Sequence, residues 1–596
     1  MKRFIVVLLG AVLVASFVVA CATPRRNQTG VFTGSARGYG GTVVVEAVVE
    51  RGDIQSLRVI QHRESTHLMY GPAFDRVISS VLNDRNLNVD HVAGATLSSM
   101  AVHAAVIEAL TAAGINTSAM MRPRPAHTPR NITMSADVVV IGAGGAGLAA
   151  AVTALELGSS VILVETNSIM GGNTLVAGSI MQVSGTPQQA AAGIVDNPDN
   201  HFAYTMSGGD NANRSDLVRI LVNNALDTMQ WMEARGTLWT DAVFVGAGTT
   251  FPRAVRPDTS VGALGTGWIQ PFQRIVEDPA SNAQVLMDTR ATDLITTGGR
   301  VTGVRATNRA GDTFTITANN GVVISTGGFA ANVEMRMQYD AQWDGMLTAN
   351  IPNTNLPSLR GDGIRMAQAV GANVIDMGYI QLLAFGCPIS GSPFNFAGGL
   401  FFMINEQGRR FVSENARRDD MTKALFQQTN SRMFFINDNR EVVARMWGSG
   451  EAGLGDRLVH YGYAHRADTI PELARMLGMD PNVLLATIDE FNRMAAGEIP
   501  CPFGRDFTMM SGGAIDLNYP PFYASPRVPT IHHTMGGIDI DTNTRVMDIH
   551  GNIIPGLYAA GEVVGGVHGT NRLGGNAITE AFVFGRIAGE SAALRR

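Results

Sequence analysis

The chain is short of charge and of cysteine, and both shortages narrow what it can do. Only 16% of its 596 residues are charged, and 51 acidic side chains stand against 45 basic ones, for a net charge of −6. Binding nucleic acid needs a basic face, so no nucleic-acid partner is expected. The three cysteines, Cys21, Cys387 and Cys501, leave no disulfide framework. No Cys-x-x-Cys-His sequence occurs, which excludes a c-type haem attached to this chain. No short-period repeat is visible, and no metal is expected.

What is present is apolar bulk and glycine. Hydrophobic residues make up 45% of the chain and glycines number 67. The length suits three or four domains, and glycine is abundant where backbone approaches a ligand closely. At the start, Lys2 and Arg3 precede an apolar stretch from Phe4 to Ala20, followed by Cys21. A basic end, a short apolar run and small residues before a cut describe a signal peptide over 1–20. The competing reading is a membrane anchor, for which the run is at the lower limit of the roughly 17–25 residues that span a bilayer. Val18-Val19-Ala20-Cys21 resembles a lipobox, so Cys21 is the expected lipidation site, with 21–30 as a tether. That places the protein outside the cytoplasm, anchored to a membrane.

Residues 31–115 read as a small α+β unit. Its first half alternates, is β-branched and has glycine turns, and 101–110 reads as a helix. The Pro- and Arg-bearing stretch 116–134 reads as a linker. From Ser135 the order strand, glycine-rich turn, helix, strand is a βαβ unit and implies a parallel sheet. The rest divides into 135–382, an inserted mixed region 383–515 with helices near 467–496, and 516–596, which returns to glycine-rich sequence.

Within that βαβ unit, Gly142, Gly144 and Gly147 satisfy Gly-x-Gly-x-x-Gly. The first permits a tight turn, the second lets backbone reach a pyrophosphate, and the third lets helix pack on strand. Glu165 closes the next strand, where it can accept hydrogen bonds from a ribose. Gly171-Gly172-Asn173-Thr174 follows directly and offers short polar groups. Together these residues point to a dinucleotide.

At this point the chain resembles the flavoprotein subunits of the fumarate reductase/succinate dehydrogenase superfamily, and within it the soluble periplasmic reductases of fumarate, urocanate and similar 2-enoates. The matching segments are MSGGDNAN (206–213), ISTGGFAAN (324–332), GDG (361–363), GRRFVSENARRD (408–419), HHTMGG (532–537) and NRLGGNAI (571–578). The resemblance implies non-covalent FAD on a Rossmann-like domain with an inserted α+β capping domain. It implies FAD contacts at Gly142, Gly144, Gly147, Glu165, Gly171, Gly172, Asn173, Thr174, Gly178, Asp362, Glu562, Ala577 and Ile578. It also implies three catalytic residues. Arg572 clamps a carboxylate, a task suited to a planar guanidinium fork. His533 assists and polarises, and Arg418 donates the proton. Gly575 runs backbone along the substrate. A one-residue error would exchange Arg418 with Arg417.

The chain departs from the fumarate-reductase pattern after Gln381. Leu383 stands where those enzymes carry histidine, and Pro393, Phe394 and Ala397 occupy the stretch of their Thr-Glu pair and arginine. Leu382, Leu383, Phe385, Phe394 and Phe396 make an apolar set in which a second carboxylate would be costly. Leu383 and Phe394 are therefore the expected substrate contacts, for a monocarboxylate with an apolar or aromatic tail. The plainer alternative is that these residues are ordinary core.

Upstream, VDHVAGATLSS (89–99) resembles the attachment motif of exported FMN-binding domains, through Asp90, Gly94, Ala95 and Thr96. The likeness implies FMN esterified to Thr96, with Ala93 where the family has Ser or Thr. His62-Arg63-Glu64-Ser65 resembles that family's upstream segment. The expected protein is a reductase of a small unsaturated carboxylate, drawing electrons from a membrane or periplasmic donor through FMN to FAD. Fumarate or urocanate reduction, a desaturase running in the oxidative direction, and a flavin-bearing electron carrier are the alternatives.

Overall fold

A computed structural model describes residues 28–64, 67–123, 126–178, 180–246, 248–249, 251–258, 260, 265–389, 391, 402–439, 459, 462–507 and 517–596. Cys21, Phe394 and Phe396, and with them the lipidation reading and half of the apolar-pocket reading, lie outside the described residues. The chain divides into two compact units, Met1–Thr128 and Pro129–Arg596. No helix among the described residues is long and apolar enough to cross a membrane.

In the first unit, strands Gly30–Arg37, Thr42–Glu50 and Asp53–Gln61 form an antiparallel sheet in sequence order. The period of two is plain in the central strand, where Val43, Val45, Ala47 and Val49 are almost fully buried. That face packs on the helix Thr96–Ala112. At Gly34 the approach is so close that a Cβ would lie 2.1 Å from the carbonyl oxygen of Ala105. A second helix, His67–Asp84, is absent from the sequence reading.

The expected linker 116–134 is ordered at both ends. Thr117–Met120 forms a 3-10 turn, and Arg122 donates to the carbonyls of Asp84 and Arg85 at 2.6 and 3.0 Å. From Asn131 the chain is already strand, paired in parallel with Thr313 onward. Proline and arginine content marked a break; it did not show that Arg122 would satisfy helix-end carbonyls, nor that the alternating Asn131–Met134 would find a partner strand.

The second unit is built on an eight-stranded sheet. Strand Asn131–Ile141 runs parallel between Val161–Val164 and Thr313–Ile324, and Ala283–Leu286 and Ile553–Ala559 extend the parallel set. The central strands are buried on both faces, as the run Val138–Ile141 requires. Helix Gly145–Glu156 packs against helix Asn576–Leu594. Gly585 and Gly589, one turn apart, let the two backbones touch: a Cβ on either would stand 2.5 or 2.3 Å from the carbonyls of Ala146 and Ala150.

The inserted region, expected over 383–515, is tied into the strands that flank it. Its five-stranded sheet is organised on Phe522–Thr534, a strand from beyond the insertion. One end of that strand pairs with Met433–Asn437 and His465–Ala467, the other with Ile380–Gly386. Helices Ile470–Met476 and Pro481–Ala495 cover the outer end, packing Leu473, Leu484 and Phe491 against Phe402 and Phe434. The long strand thus carries cap and site on one rigid element.

Candidate active site

The glycine-rich turn is formed as the sequence predicts. Gly142 has φ +101°, and a Cβ there would strike the Ser325 carbonyl at 2.5 Å. A Cβ on Gly147 would lie 1.8 Å from the Gly142 oxygen, so helix and turn are in contact. Gly144 caps the helix and bridges to Gly171, whose N–H donates to Ala143 O at 2.8 Å. The two glycine turns therefore lie side by side, and Gly172 backs on Gly144. Helix N–H groups in the first turn have no intrahelical acceptor and favour an anion. This cradle fits the diphosphate of FAD.

The polar residues around it are partly committed within the chain. Glu165 is buried, accepts Ala143 N–H at 2.7 Å and Asn167 N–H at 2.8 Å, and has its pKa raised by burial. It ties the turn to the strand end before it can serve a ribose. Thr174 Oγ1 accepts Gly145 N–H at 3.2 Å. Asn173 donates to Asn355 Oδ1 and accepts Leu356 N–H at 3.1 Å. Asp362 is turned to Arg290 and Arg365 in ion pairs of 2.7 and 2.6 Å. Gly178 is exposed, and Ala577 and Ile578 lie in the first turn of the helix that Gly575 caps at φ +95°.

At the reacting centre two arginines meet on one amide. Arg572 Nη2 and Arg418 Nη1 both donate to Gln381 Oε1, at 3.0 and 3.2 Å. Gln381 Nε2 donates to Asn571 Oδ1 at 2.8 Å and to Arg572 O at 2.9 Å, which fixes the amide's orientation. Gln381 stands alone among buried apolar neighbours in its strand, and that isolation is the signal by which sequence reading could have added it to the site. Arg418 begins the helix Arg418–Phe426, and Leu383 is buried two residues along the strand from Gln381.

The electrostatics are lopsided. Burial, and then the neighbouring charge of Arg572, push Arg418 well below the ordinary arginine range. Burial lowers Arg572 to about 10 against the opposing pull of Glu562 and Glu580. Glu562 accepts Thr534 N–H at 3.1 Å, and burial raises it to about 7. Arg418 Nε and Arg572 Nε have no hydrogen-bond partner among the described residues. Two desolvated cations sharing a neutral oxygen form a donor set that a carboxylate would satisfy.

The adjacent histidines are separated by a bulge in the strand pairing. Gln381 opposes His533 and Leu382 opposes Ile531, so His532 is the extra residue. The ring of His533 is turned inward, 3.6 Å from Glu562 through Nδ1 and 5.4 Å, centroid to centroid, from His568, which donates to or accepts from Glu580 at 2.9 Å. His533, His568 and Glu580 bring ligand-type atoms within 4.8 Å of one another, but the last two already hold each other. The half-buried His532 bonds through Nδ1 to Thr354 Oγ1 at 2.8 Å and feels the charges of Arg572 and Arg418, which with burial hold it well below the usual histidine range. Burial and the same two guanidiniums also hold His533 well below the usual histidine range, so the two rings differ in their partners: His533 lies by Glu562 and His568, and His532 by Thr354.

Arg417 and Arg418 are likewise told apart. Arg417 makes a bidentate pair with Asp210, at 2.7 and 3.0 Å, and a second pair with Asp419 at 3.1 Å. Asp210 also receives the Thr570 hydroxyl. Arg417 thus fastens the segments that carry Arg418 and Arg572, and is spent on that.

In the first unit, Thr96 is exposed at the first position of its helix, after Gly94 at φ +89°. Two residues on, the Ser98 hydroxyl bonds Glu64, which also accepts Gly40 N–H at 3.0 Å. The first turn of the helix that Thr96 begins and the Arg63–Glu64 segment are thereby joined. A phosphate at Thr96 would sit on a helix N-terminus.

Fold and sites define a flavoprotein with two separate flavin-binding units. The family model for the FAD binding domain matches residues 137–578, and that for the FMN-binding domain matches 38–111. The chain belongs to the fumarate reductase flavoprotein superfamily, in the form that carries an FMN-binding domain ahead of the FAD-binding one. It is 35% identical to the urocanate reductase of Eggerthella lenta, over 97% of this chain and 94% of that one. It is 32% identical to the NADH:acrylate oxidoreductase of Vibrio harveyi over 96% of its own length, and spans 62% of that longer protein. An open-conformation structure of a flavocytochrome c3 fumarate reductase superposes with a TM-score of 0.64 at 32% identity, covering 78% of each chain.

Proposed function

We propose that this protein reduces the C=C bond of a small α,β-unsaturated monocarboxylate with an apolar or aromatic tail. The observation that carries the reading is the pair of buried guanidiniums on Gln381, with His532 beside them. FAD held by the two glycine turns would supply hydride chemistry at the β-carbon, with electrons from an external donor entering through FMN in the first unit. Arg572 grips the carboxylate, and His532 adds a ring nitrogen to polarise it. Arg418 gives its proton to the α-carbon. An arginine is an implausible acid at its ordinary pKa; burial and the charge of Arg572 bring this one toward the working range. Relatives that act on urocanate and acrylate support the class of substrate.

The apolar side of the pocket rests on Leu383. Anaerobic assays with reduced methyl viologen against fumarate, urocanate, acrylate, methacrylate, cinnamate and caffeate test it. Turnover concentrated on the monocarboxylates with apolar tails is expected. Strong fumarate turnover would place a second carboxylate site elsewhere, and no turnover with any enoate would remove the reading.

FMN is proposed to be esterified to Thr96. Thr96→Ala is expected to lose the flavin fluorescence that survives denaturing electrophoresis, and to lose electron entry from the external donor. Fluorescence persisting in the variant would place the attachment elsewhere. Export as a lipoprotein acylated at Cys21 completes the proposal. It follows from the leader-like start and from the value of a covalent flavin where free flavin is diluted away.

A further inference from the structure

Resting on the proposed reaction, one feature of the site goes further: the proton positions around His532 are dictated from outside the substrate pocket. Segment 352–354 runs beside the strand that carries His532. Ile531 N–H donates to Pro352 O, and Thr354 N–H to Ile531 O, both at 2.9 Å. Thr354, Asn355 and Leu356 then link this strand to Asn173 in the second glycine turn.

The direction of each hydrogen bond along the link can be read from one end. Leu356 N–H is a backbone donor, so the atom it meets at 3.1 Å is the oxygen of Asn173. The nitrogen of Asn173 therefore faces Asn355, which must answer with its own oxygen. The nitrogen of Asn355 is left to donate to His532 O at 3.0 Å, an obligate acceptor, and lies 3.4 Å from Thr354 Oγ1. Asn355 Nδ2 cannot accept, so of these two neighbours the acceptor for the Thr354 hydroxyl hydrogen is His532 Nδ1, 2.8 Å away. Nδ1 accepts, so Nε2 carries the hydrogen.

We infer that this ordered chain, Leu356 to Asn173 to Asn355 to Thr354, holds His532 as the neutral Nε2–H tautomer, with Thr354 as a positioning residue acting through the ring. The consequence is chemical. Arg418, Arg572 and His532 then all present donors, and an anionic or electron-rich oxygen is the group that satisfies all three. With the other tautomer, Nε2 would offer a lone pair in place of that donor, which a carboxylate cannot use. The electrostatics agree, since burial and the two guanidiniums disfavour a charged ring. The chain also begins in the turn that cradles the dinucleotide, so one network sets both cofactor loop and histidine.

The test is 15N NMR of the intact protein labelled on histidine, with the His532 signals assigned by their loss in His532→Gln. Pyridine-type and pyrrole-type nitrogens have separate shifts, which read the tautomer without turnover. Wild type is expected to show a pyridine-type Nδ1 and a pyrrole-type Nε2. Thr354→Ser should keep that pattern and kcat/KM within about 3-fold, because the hydroxyl remains. Thr354→Val should mix the tautomers and lower kcat/KM about 10-fold, the scale of one hydrogen bond. Asn355→Asp removes the donor that orients the hydroxyl, and should move the proton toward Nδ1. A pyrrole-type Nδ1 in wild type, or Thr354→Val with unchanged tautomer and kinetics, overturns the inference. If wild type reduces no enoate but shows the Nε2–H ring, the proposed reaction fails and the tautomer assignment stands.

Discussion

Arg418→Gln is expected to lower kcat by about 10³–10⁴-fold, the upper range for loss of a general acid, while FAD absorbance per chain stays at the wild-type value. Glutamine keeps a donor near Gln381 but has no proton to give at the substrate carbon. The adjacent Arg417 is the control. Its guanidinium is occupied by Asp210 and Asp419 and is partly exposed, so Arg417→Gln should cost less than about 10-fold. Stopped-flow reduction and single-turnover reoxidation with an enoate separate the chemical step from flavin loading. Equal losses in the two variants would show that the acid role had been given to the wrong arginine. Retained turnover in Arg418→Gln would show that the proton comes from another group.

Arg572→Ala is expected to lower kcat/KM for carboxylate substrates by about 10²–10³-fold, as loss of one member of a buried charge pair does. An uncharged enamide should lose much less, because its carbonyl needs polarising but not neutralising. Arg572→Lys should recover only part of the loss, since an ammonium cannot pair both carboxylate oxygens. The loss has a second source. Arg572 is the cation that restrains the pKa of Glu562, and without it that carboxyl moves further above about 7. The measurement is steady-state kinetics with an acid and its amide side by side. Equal losses for the two would mean that Arg572 shapes the pocket rather than gripping charge.

Much of the cofactor cradle was legible because glycine spacing encodes a steric requirement. Gly142 and Gly147 stand where any side chain would collide with backbone. The choice between Arg417 and Arg418 needed the fold, since both lie in one polar run and only packing shows which is buried on Gln381. The different partners of His532 and His533 were not legible at all. They depend on a one-residue bulge, and nothing in the HHT sequence marks where a strand takes an extra residue. Asp362 is a cofactor contact that the resemblance implies; its ion pairs with Arg290 and Arg365 needed the fold to be seen. The helix His67–Asp84 has no counterpart in the sequence reading, and it carries Pro72 in its first turns, where a proline is a breaker signal. Thr354 and Asn355 carry no motif. Their importance comes from a partner 178 or 177 residues away.

The close contact between helices Gly145–Glu156 and Asn576–Leu594 bears on how the chain comes off the ribosome. The first βαβ unit is synthesised early, but its helix keeps an open stripe until Gly585 and Gly589 arrive to lie on Ala146 and Ala150. Gln182 likewise waits for Gly574, 392 residues downstream, before its amide nitrogen finds an acceptor. Long loops close slowly, so the nascent FAD-binding half spends most of translation as an unfinished surface, exposed to chaperones and proteases. The contacts that close the glycine turn's helix therefore form late, whereas those of the first unit are local in sequence.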